Sequence, residues 1–303
     1  MFDVHLRWGR SMNIARDVST DAGTAPGAAT SGDGAGVAAT CPGSTGGAVY
    51  RASFFGAFRL WRDGQPLGEP NWRRNRAKTL LKWFLLNPST PVSEQHLCTL
   101  LWPDRSREKA VNNLHVTVHF LRHVLQPGLP ARGRSSFIRR DDRKFYWFDL
   151  NHRWWTDVQE VRQLSAAARC AAEAGQTDRA IALYRRSVGY YRLGFLPEDV
   201  YEDVFATYRT QFETAHVDAL VQLTRLHLAA DQLPRALTCA SAVLAIDPYH
   251  ERAVLSIVDV HRRQGNLTAA IRQLDDYLRV LREHLGVDPD TKLQALRYRL
   301  TMS

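Results

Sequence analysis

The sequence predicts a mainly α-helical chain with small β-hairpins, built in two unlike parts, and three patterns carry that reading. Over residues 106–125, Val111, Leu114, Val118, Leu121 and Leu125 recur at steps of three and four, which lays one apolar stripe along a helix. Over residues 137–148, two apolar strands flank the charged turn Asp141-Asp142-Arg143-Lys144. Finally, Gly175-Gln176-Thr177-Asp178-Arg179-Ala180-Ile181 recurs as Asp231-Gln232-Leu233-Pro234-Arg235-Ala236-Leu237 and as Gly265-Asn266-Leu267-Thr268-Ala269-Ala270-Ile271. The last two copies stand 34 residues apart, the tetratricopeptide period, with a small Ala where paired helices must pack closely. A helix followed directly by a basic hairpin reads as a winged helix-turn-helix. The expected organisation is a low-complexity tail over 1–49, a winged helix-turn-helix domain over 50–150 and an all-α tetratricopeptide-like repeat domain over 151–303.

Each element has a local reason. Residues 18–48 are mostly Ala, Gly, Ser, Thr and Pro. They offer too little apolar surface to offset chain entropy, so the tail is expected to be disordered. Order begins near Tyr50, where Phe54, Phe58 and Leu60 alternate with smaller or polar residues. Asp63-Gly64 then supplies a hairpin turn before Gln65-Pro66-Leu67. Ala77, Leu80, Leu81, Phe84 and Leu85 share one helix face, and Asn87-Pro88 ends that helix. Ser93 is placed to N-cap a helix carrying Leu97, Leu100 and Leu101, which stops before Pro103. From about Thr156 the chain reads as helical. The first two repeat copies are 56 residues apart, so a long helix near 199–230 departs from strict repetition. The acids Glu198, Asp199, Glu202 and Asp203 read as the start of that helix, favoured by its dipole.

Charge is concentrated in one segment. The chain of 303 residues has a formal net charge of +9, yet residues 51–150 hold 18 Lys and Arg against eight Asp and Glu. Residues 151–303 hold 19 of each sign. A basic surface confined to one domain is the footprint of a polyanion binder, the plain alternative being a soluble basic domain. Cys41, Cys98, Cys170 and Cys239 lie far apart without a C-x-x-C pair, which argues against a zinc or disulfide framework and for a reducing compartment. No apolar run reaches the roughly 18 residues of a membrane span, and the N-terminus lacks the apolar core of a signal peptide. The expected location is the cytoplasm, at the nucleoid. No G-x-x-x-x-G-K-[ST], G-x-S-x-G or H-E-x-x-H occurs, so no cofactor and no enzymatic activity is expected.

The candidate site lies opposite the apolar stripe of 106–125. At 100° per residue that face carries Lys109, Asn112, Asn113, Val116, His119, Phe120 and His123, with no acid. Asn can bond adenine edges bidentately, Lys can reach guanine or phosphate, and Val or Phe can touch a thymine methyl. Asn112, Asn113, Val116, His119 and Phe120 are therefore the candidate base contacts on double-stranded DNA. The plain alternative is a solvated helix face, which the apolar Val116 and Phe120 make awkward. Arg105, Lys109 and Arg122 flank the face as candidate phosphate contacts. Arg139, Arg140, Arg143 and Lys144 could enter a narrow minor groove from the hairpin. Arg73, Arg74, Arg76 and Lys78 crowd a helix start, where positive charge opposes the dipole unless an anion is near. Phosphate contact by Arg74 and Arg76 is one account and a solvated start is the other. His115, His119 and His123 fall at i, i+4 and i+8, but with no Glu or Cys nearby in sequence no metal is expected. His250 and His261 read as structural.

The order of short motifs resembles one family. These are Phe55-Gly56-Ala57-Phe58-Arg59-Leu60, then Leu100-Leu101-Trp102-Pro103-Asp104, then Lys109-Ala110-Val111-Asn112-Asn113-Leu114-His115-Val116 with His119, Leu121 and Arg122. Further on come Leu196-Pro197-Glu198, Tyr201-Glu202-Asp203, Tyr249-His250-Glu251 and Leu285-Gly286-Val287-Asp288-Pro289-Asp290. Over about residues 50–300 the chain resembles the Streptomyces antibiotic regulatory protein (SARP) family. Its members join an OmpR-like winged helix to a bacterial transcriptional activation domain. Val204 stands where the family has Trp, and the wing turn lacks the family's Asp-Gly. The resemblance implies promoter binding by paired protomers, with RNA polymerase holoenzyme as partner facing the loop with Trp102, Asp104, Arg105 and Arg107. It also implies control of an antibiotic gene cluster. The residues alone leave a second reading open, a repeat scaffold for protein interactions with a loosely nucleic-acid-binding basic domain.

Overall fold

A computed structural model describes residues 49–68, 75–130, 133–286, 288 and 290–302. The expected tail up to residue 48, and Arg73 and Arg74, lie outside the described residues. The chain begins with β1 (Tyr50–Ser53), β2 (Arg59–Arg62) and β3 (Gln65–Pro66). Asp63 and Gly64 turn β2 into β3 with φ of 52° and 78°, the paired positive values of a type I′ turn. Then come α1 (Asn75–Leu86), β4 (Val92–Ser93), α2 (Glu94–Leu101), α3 (Arg107–Leu125), β5 (Ile138–Arg140) and β6 (Phe145–Phe148). Ser93 does cap α2, its Oγ accepting from His96 N at 3.2 Å. A three-stranded sheet in the order β4-β6-β5 forms the wing beside α3. The winged helix-turn-helix is thus complete.

The helical part follows as α4 (Asp157–Glu173), α5 (Thr177–Tyr190), α6 (Ala206–Ala229), α7 (Leu233–Ile246), α8 (Glu251–Arg263), α9 (Leu267–Val280) and α10 (Thr291–Thr301). Thr156 caps α4 by accepting from Gln159 N at 3.2 Å, and His250 caps α8 through Nδ1. The repeated segments are the turns inside the helix pairs. Gly175, Asp231 and Gly265 all take positive φ, at 72°, 53° and 71°. The next amide reaches back to a carbonyl five residues earlier in each copy: Gln176 to Ala171, Gln232 to His227 and Asn266 to His261. That is a Schellman ending, repeated three times. Ala180, Ala236 and Ala270 are fully buried where the helices meet, as the Ala spacing requires.

The core runs across position 150. A further strand, β7 (Trp154–Thr156), pairs in parallel with β1 and extends its sheet to β3-β2-β1-β7. The Asp157 carboxylate accepts from Ser53 Oγ at 2.7 Å, from Phe54 N at 2.8 Å and from Phe55 N at 3.0 Å. Phe55 packs edge-on to Tyr191 and Phe212, with ring centroids 4.8 and 5.5 Å away. One hydrophobic cluster therefore joins Tyr50, Phe54, Phe84 and Leu114 to Phe195, Phe205 and Phe212, with Val204 packed against it.

Residues 197–205 differ from expectation. They are not the first turn of a long helix but two 3-10 turns, Pro197–Asp199 and Asp203–Phe205, with α6 starting only at Ala206. Their acids face α1. Lys82, whose side chain is only 3% exposed, is held by Glu198 at 3.0 Å and Asp199 at 2.5 Å. Lys78 meets Glu198 at 3.4 Å and Arg76 meets Glu202 at 3.1 Å. Among the described residues, Arg76 and Lys78 at the basic start of α1 thus meet carboxylates of the protein itself.

Candidate nucleic-acid interface

The helix α3 is anchored by Leu114, Val118, Leu121 and Leu125, all buried, with Ala110 and Thr117 beside them. Its opposite side carries Lys109, Asn112, Asn113, Val116 and His119, all exposed, and Phe120, half-buried. Val116 leaves 45% of its surface open, an apolar tip among amides. The periodicity therefore places all five candidate base contacts on one surface. His123, at the far end of this face, donates from Nδ1 to the His119 carbonyl at 2.9 Å, with the two rings 4.3 Å apart.

The cations around this surface differ in what they touch. Among the described residues Arg105, Arg107, Lys109, Arg143 and Lys144 are exposed and make no ion pair. Arg139 pairs with Asp149 at 3.2 Å in the open, a bond worth little against solvent. Arg140 reaches Glu94 at 3.1 Å and lies over the Tyr146 ring. Arg122, a phosphate candidate by sequence, is placed otherwise. Its Nη2 donates to the Ile138 carbonyl at 2.9 Å, so it ties α3 to the wing. Burial there holds its guanidinium below the ordinary value. Arg76, another phosphate candidate, pairs with Glu202 at 3.1 Å, also in the open.

The wing turn is built without glycine. Lys144 takes the left-handed conformation at φ 65°, and the Asp141 carboxylate accepts from Phe145 N at 2.7 Å. The loop between α2 and α3 presents Asp104 and Arg105 to solvent and half-buries Trp102 against the core. Arg107 opens α3 from an exposed position. One residue central to this surface escaped the sequence reading. Glu94 lies 21 residues before His115 in the chain, yet its carboxylate is 3.0 Å from the His115 Nε2. Nothing in a linear pattern brings those two together.

The comparisons agree with this geometry. Residues 156–301 match the family model described as bacterial transcriptional activator domain. The Regulatory protein AfsR of Streptomyces coelicolor is 27% identical over 256 residues, which are 83% of this chain and 24% of that protein. The Regulatory protein DnrI of Streptomyces peucetius is 24% identical over 234 residues, covering 74% of this chain and 82% of its own length. The chain therefore spans about a quarter of one curated relative and most of the other. A solved structure titled Mycobacterium tuberculosis EmbR in complex with low affinity phosphopeptide superposes with a TM-score of 0.71 over 84% of this chain and 66% of its own, at 19% identity. That likeness is one of fold. A winged helix-turn-helix joined to tetratricopeptide-like repeats is the architecture the two share. The helical part of the chain thus matches the bacterial transcriptional activator domain, and the chain is similar in sequence to the regulatory proteins AfsR and DnrI. Among its described residues no helix is long and apolar enough to cross a membrane.

Proposed function

We propose that this protein binds promoter DNA sequence-specifically and activates transcription from it. The observation that carries the reading is the surface of α3, where Asn112, Asn113, Val116 and His119 are exposed and where, among the described residues, Arg105, Lys109, Arg143 and Lys144 make no ion pair. The helix enters the major groove, with Asn112 and Asn113 reading base edges and Val116 and Phe120 meeting thymine methyls. Lys109 and Arg105 hold phosphates, and Arg143 and Lys144 at the wing tip, with Arg139, reach the flanking groove. Two protomers sit on half-sites about one helical turn apart. The loop bearing Trp102, Asp104, Arg105 and Arg107 meets RNA polymerase holoenzyme. The resemblance to the SARP family supports an antibiotic gene cluster as the regulated set, with the protein acting at the nucleoid in the cytoplasm.

Footprinting on the DNA around its own gene and the genes that flank it tests this reading. A protected pair of repeats, lost on Asn113→Ala, supports it. Retention of DNA without a protected site would favour a protein-interaction scaffold with a merely basic domain.

A further inference from the structure

Glu94 is an acid in the middle of a basic surface, and its geometry is specific. It is the first residue of α2, directly after the β4 residue Ser93, which is paired with Phe145 of the wing. Its own amide donates to the Lys144 carbonyl at 3.0 Å. Its carboxylate Oε2 accepts from His115 Nε2 of α3 at 3.0 Å and from Arg140 Nη2 of β5 at 3.1 Å. One side chain, 10% exposed, thus bonds both the base-reading helix and the wing. Burial pushes its carboxyl up, but the hydrogen bonds and charges of His115 and Arg140 outweigh that and hold it below the ordinary value. It therefore stays ionised at neutral pH.

His115 and Arg122 stand seven residues apart, two turns along the same edge of α3. Arg122 is fastened to the wing strand through the Ile138 carbonyl. The edge of α3 toward the wing is thus pinned twice, and the nearer pin to the wing tip runs through Glu94. A negative charge here weakens attraction for phosphate, so it adds nothing to non-specific affinity. What it does supply is a fixed relation between two DNA-facing elements.

We propose that Glu94 is a positioning residue for DNA reading. It locks the wing at one distance and angle from the base-reading face of α3. It thereby sets which flanking sequence is accepted beside the bases that α3 reads. This inference rests on the proposed DNA-binding function, and the test separates the two.

Wild type, Glu94→Gln and Glu94→Asp of the full chain are each used to select duplexes from a randomised DNA library, and affinities for the selected and random duplexes are measured. Gln removes the charge; Asp keeps the charge but loses the reach. Both variants should lower the ratio of specific to random affinity about tenfold, as expected for loss of a charge-assisted bond. Preference should persist at the bases read by α3 and broaden at the flank. Affinity for random DNA should rise with Gln and not with Asp. Independently of DNA, amide hydrogen exchange over residues 138–148 should quicken in both free variants. An unchanged ratio and unchanged exchange, with wild-type preference intact, overturn the positioning role and leave the function standing. Equal loss of specific and random affinity together with a fallen melting temperature makes Glu94 merely structural and also overturns it. A wild type without any preference overturns the proposed function itself.

Discussion

Two basic surfaces of this protein look alike in sequence and differ in what their charges meet. On α1, Arg76, Lys78 and Lys82 face Glu202, Glu198 and Asp199 of the segment before α6. On α3 and the wing, Lys109, Arg143 and Lys144 face no carboxylate among the described residues. Pairing, and for Lys82 burial, turns the first set into a joint between α1 and the segment 198–202. Exposure leaves the second set free for an outside polyanion. The lesson is that a run of Lys and Arg locates positive charge but not its counter-ion. In the joint, burial pushes the Glu198 carboxyl up, while the hydrogen bond and charge of Lys82 and the charge of Lys78 pull it further down, leaving it below the ordinary value.

Cutting the chain gives the largest effect. A fragment ending at 150 loses β7, the Asp157 carboxylate and the aromatic cover from Phe195 and Phe212. Orphaned amides at Phe54 and Phe55 cost about 1–3 kcal/mol each, and each exposed Phe about 1.5–3 kcal/mol more. Against a usual stability of about 5–15 kcal/mol, the fragment should lack a cooperative thermal transition, while one extended to the end of α6 should regain it. A fragment ending at 150 that melts sharply and binds DNA fully would break the comparison, since the joint would then be dispensable.

The next effect isolates the joint. Glu198→Ala with Asp199→Ala strips both carboxylates from Lys82 and should destabilise the protein by about 3 kcal/mol in urea unfolding. Adding Lys82→Met should recover most of that loss, because the uncompensated buried charge is gone. Affinity for DNA per folded molecule should hardly move. Acid probes the same region. His216 stacks on Tyr191 at 4.3 Å, and burial pushes its imidazole down from 6.5 to about 4. The unfolded chain then binds the proton more readily, so stability is full above about pH 6.5 and falls as pH drops toward about 4, by about 2–3 kcal/mol. Melting curves of His216→Phe should lose this dependence, and an unaltered acid slope would show that other groups set it.

The open surface should answer in the opposite way. Asn113→Ala and Phe120→Ala should each cost about 1–3 kcal/mol of specific binding and leave unfolding nearly unchanged. If those substitutions destabilise the fold but spare sequence preference, the two surfaces have been assigned in reverse. The smallest effect is at the wing turn. Lys144→Gly relieves a left-handed φ of 65° and should stabilise by up to about 1 kcal/mol. The same change should lower the slope of log affinity against log salt by about 1, as one phosphate contact is lost.

Much of the fold is legible in the sequence because its causes are local. The stripe of α3, the Ser93 cap, the Asp63-Gly64 turn and the three Schellman endings each depend on residues within one or two turns of one another. The candidate base-contact face is legible for the same reason, since helical periodicity alone gathers Asn112, Asn113, Val116, His119 and Phe120. Arg122 misleads because it lies at the margin of that face, where an angle of a few tens of degrees decides between groove and wing. The partner of Arg76, Glu202, is 126 residues away in the chain, beyond the reach of any local pattern.

By itself, then, the sequence determined the hairpins, most of the helices and their order, the repeat period and the side of α3 that avoids the core. Those follow from periodicity, caps and turns, which act over short stretches of chain. The tertiary structure alone decided that β7 closes the first sheet and that Asp157 satisfies the amides of Phe54 and Phe55. It also decided that the acids of 198–202 neutralise α1 and that Glu94 joins His115 to Arg140. Buried charges and unpaired amides are costly, so each must find a partner. Which partner it finds depends on how distant segments pack.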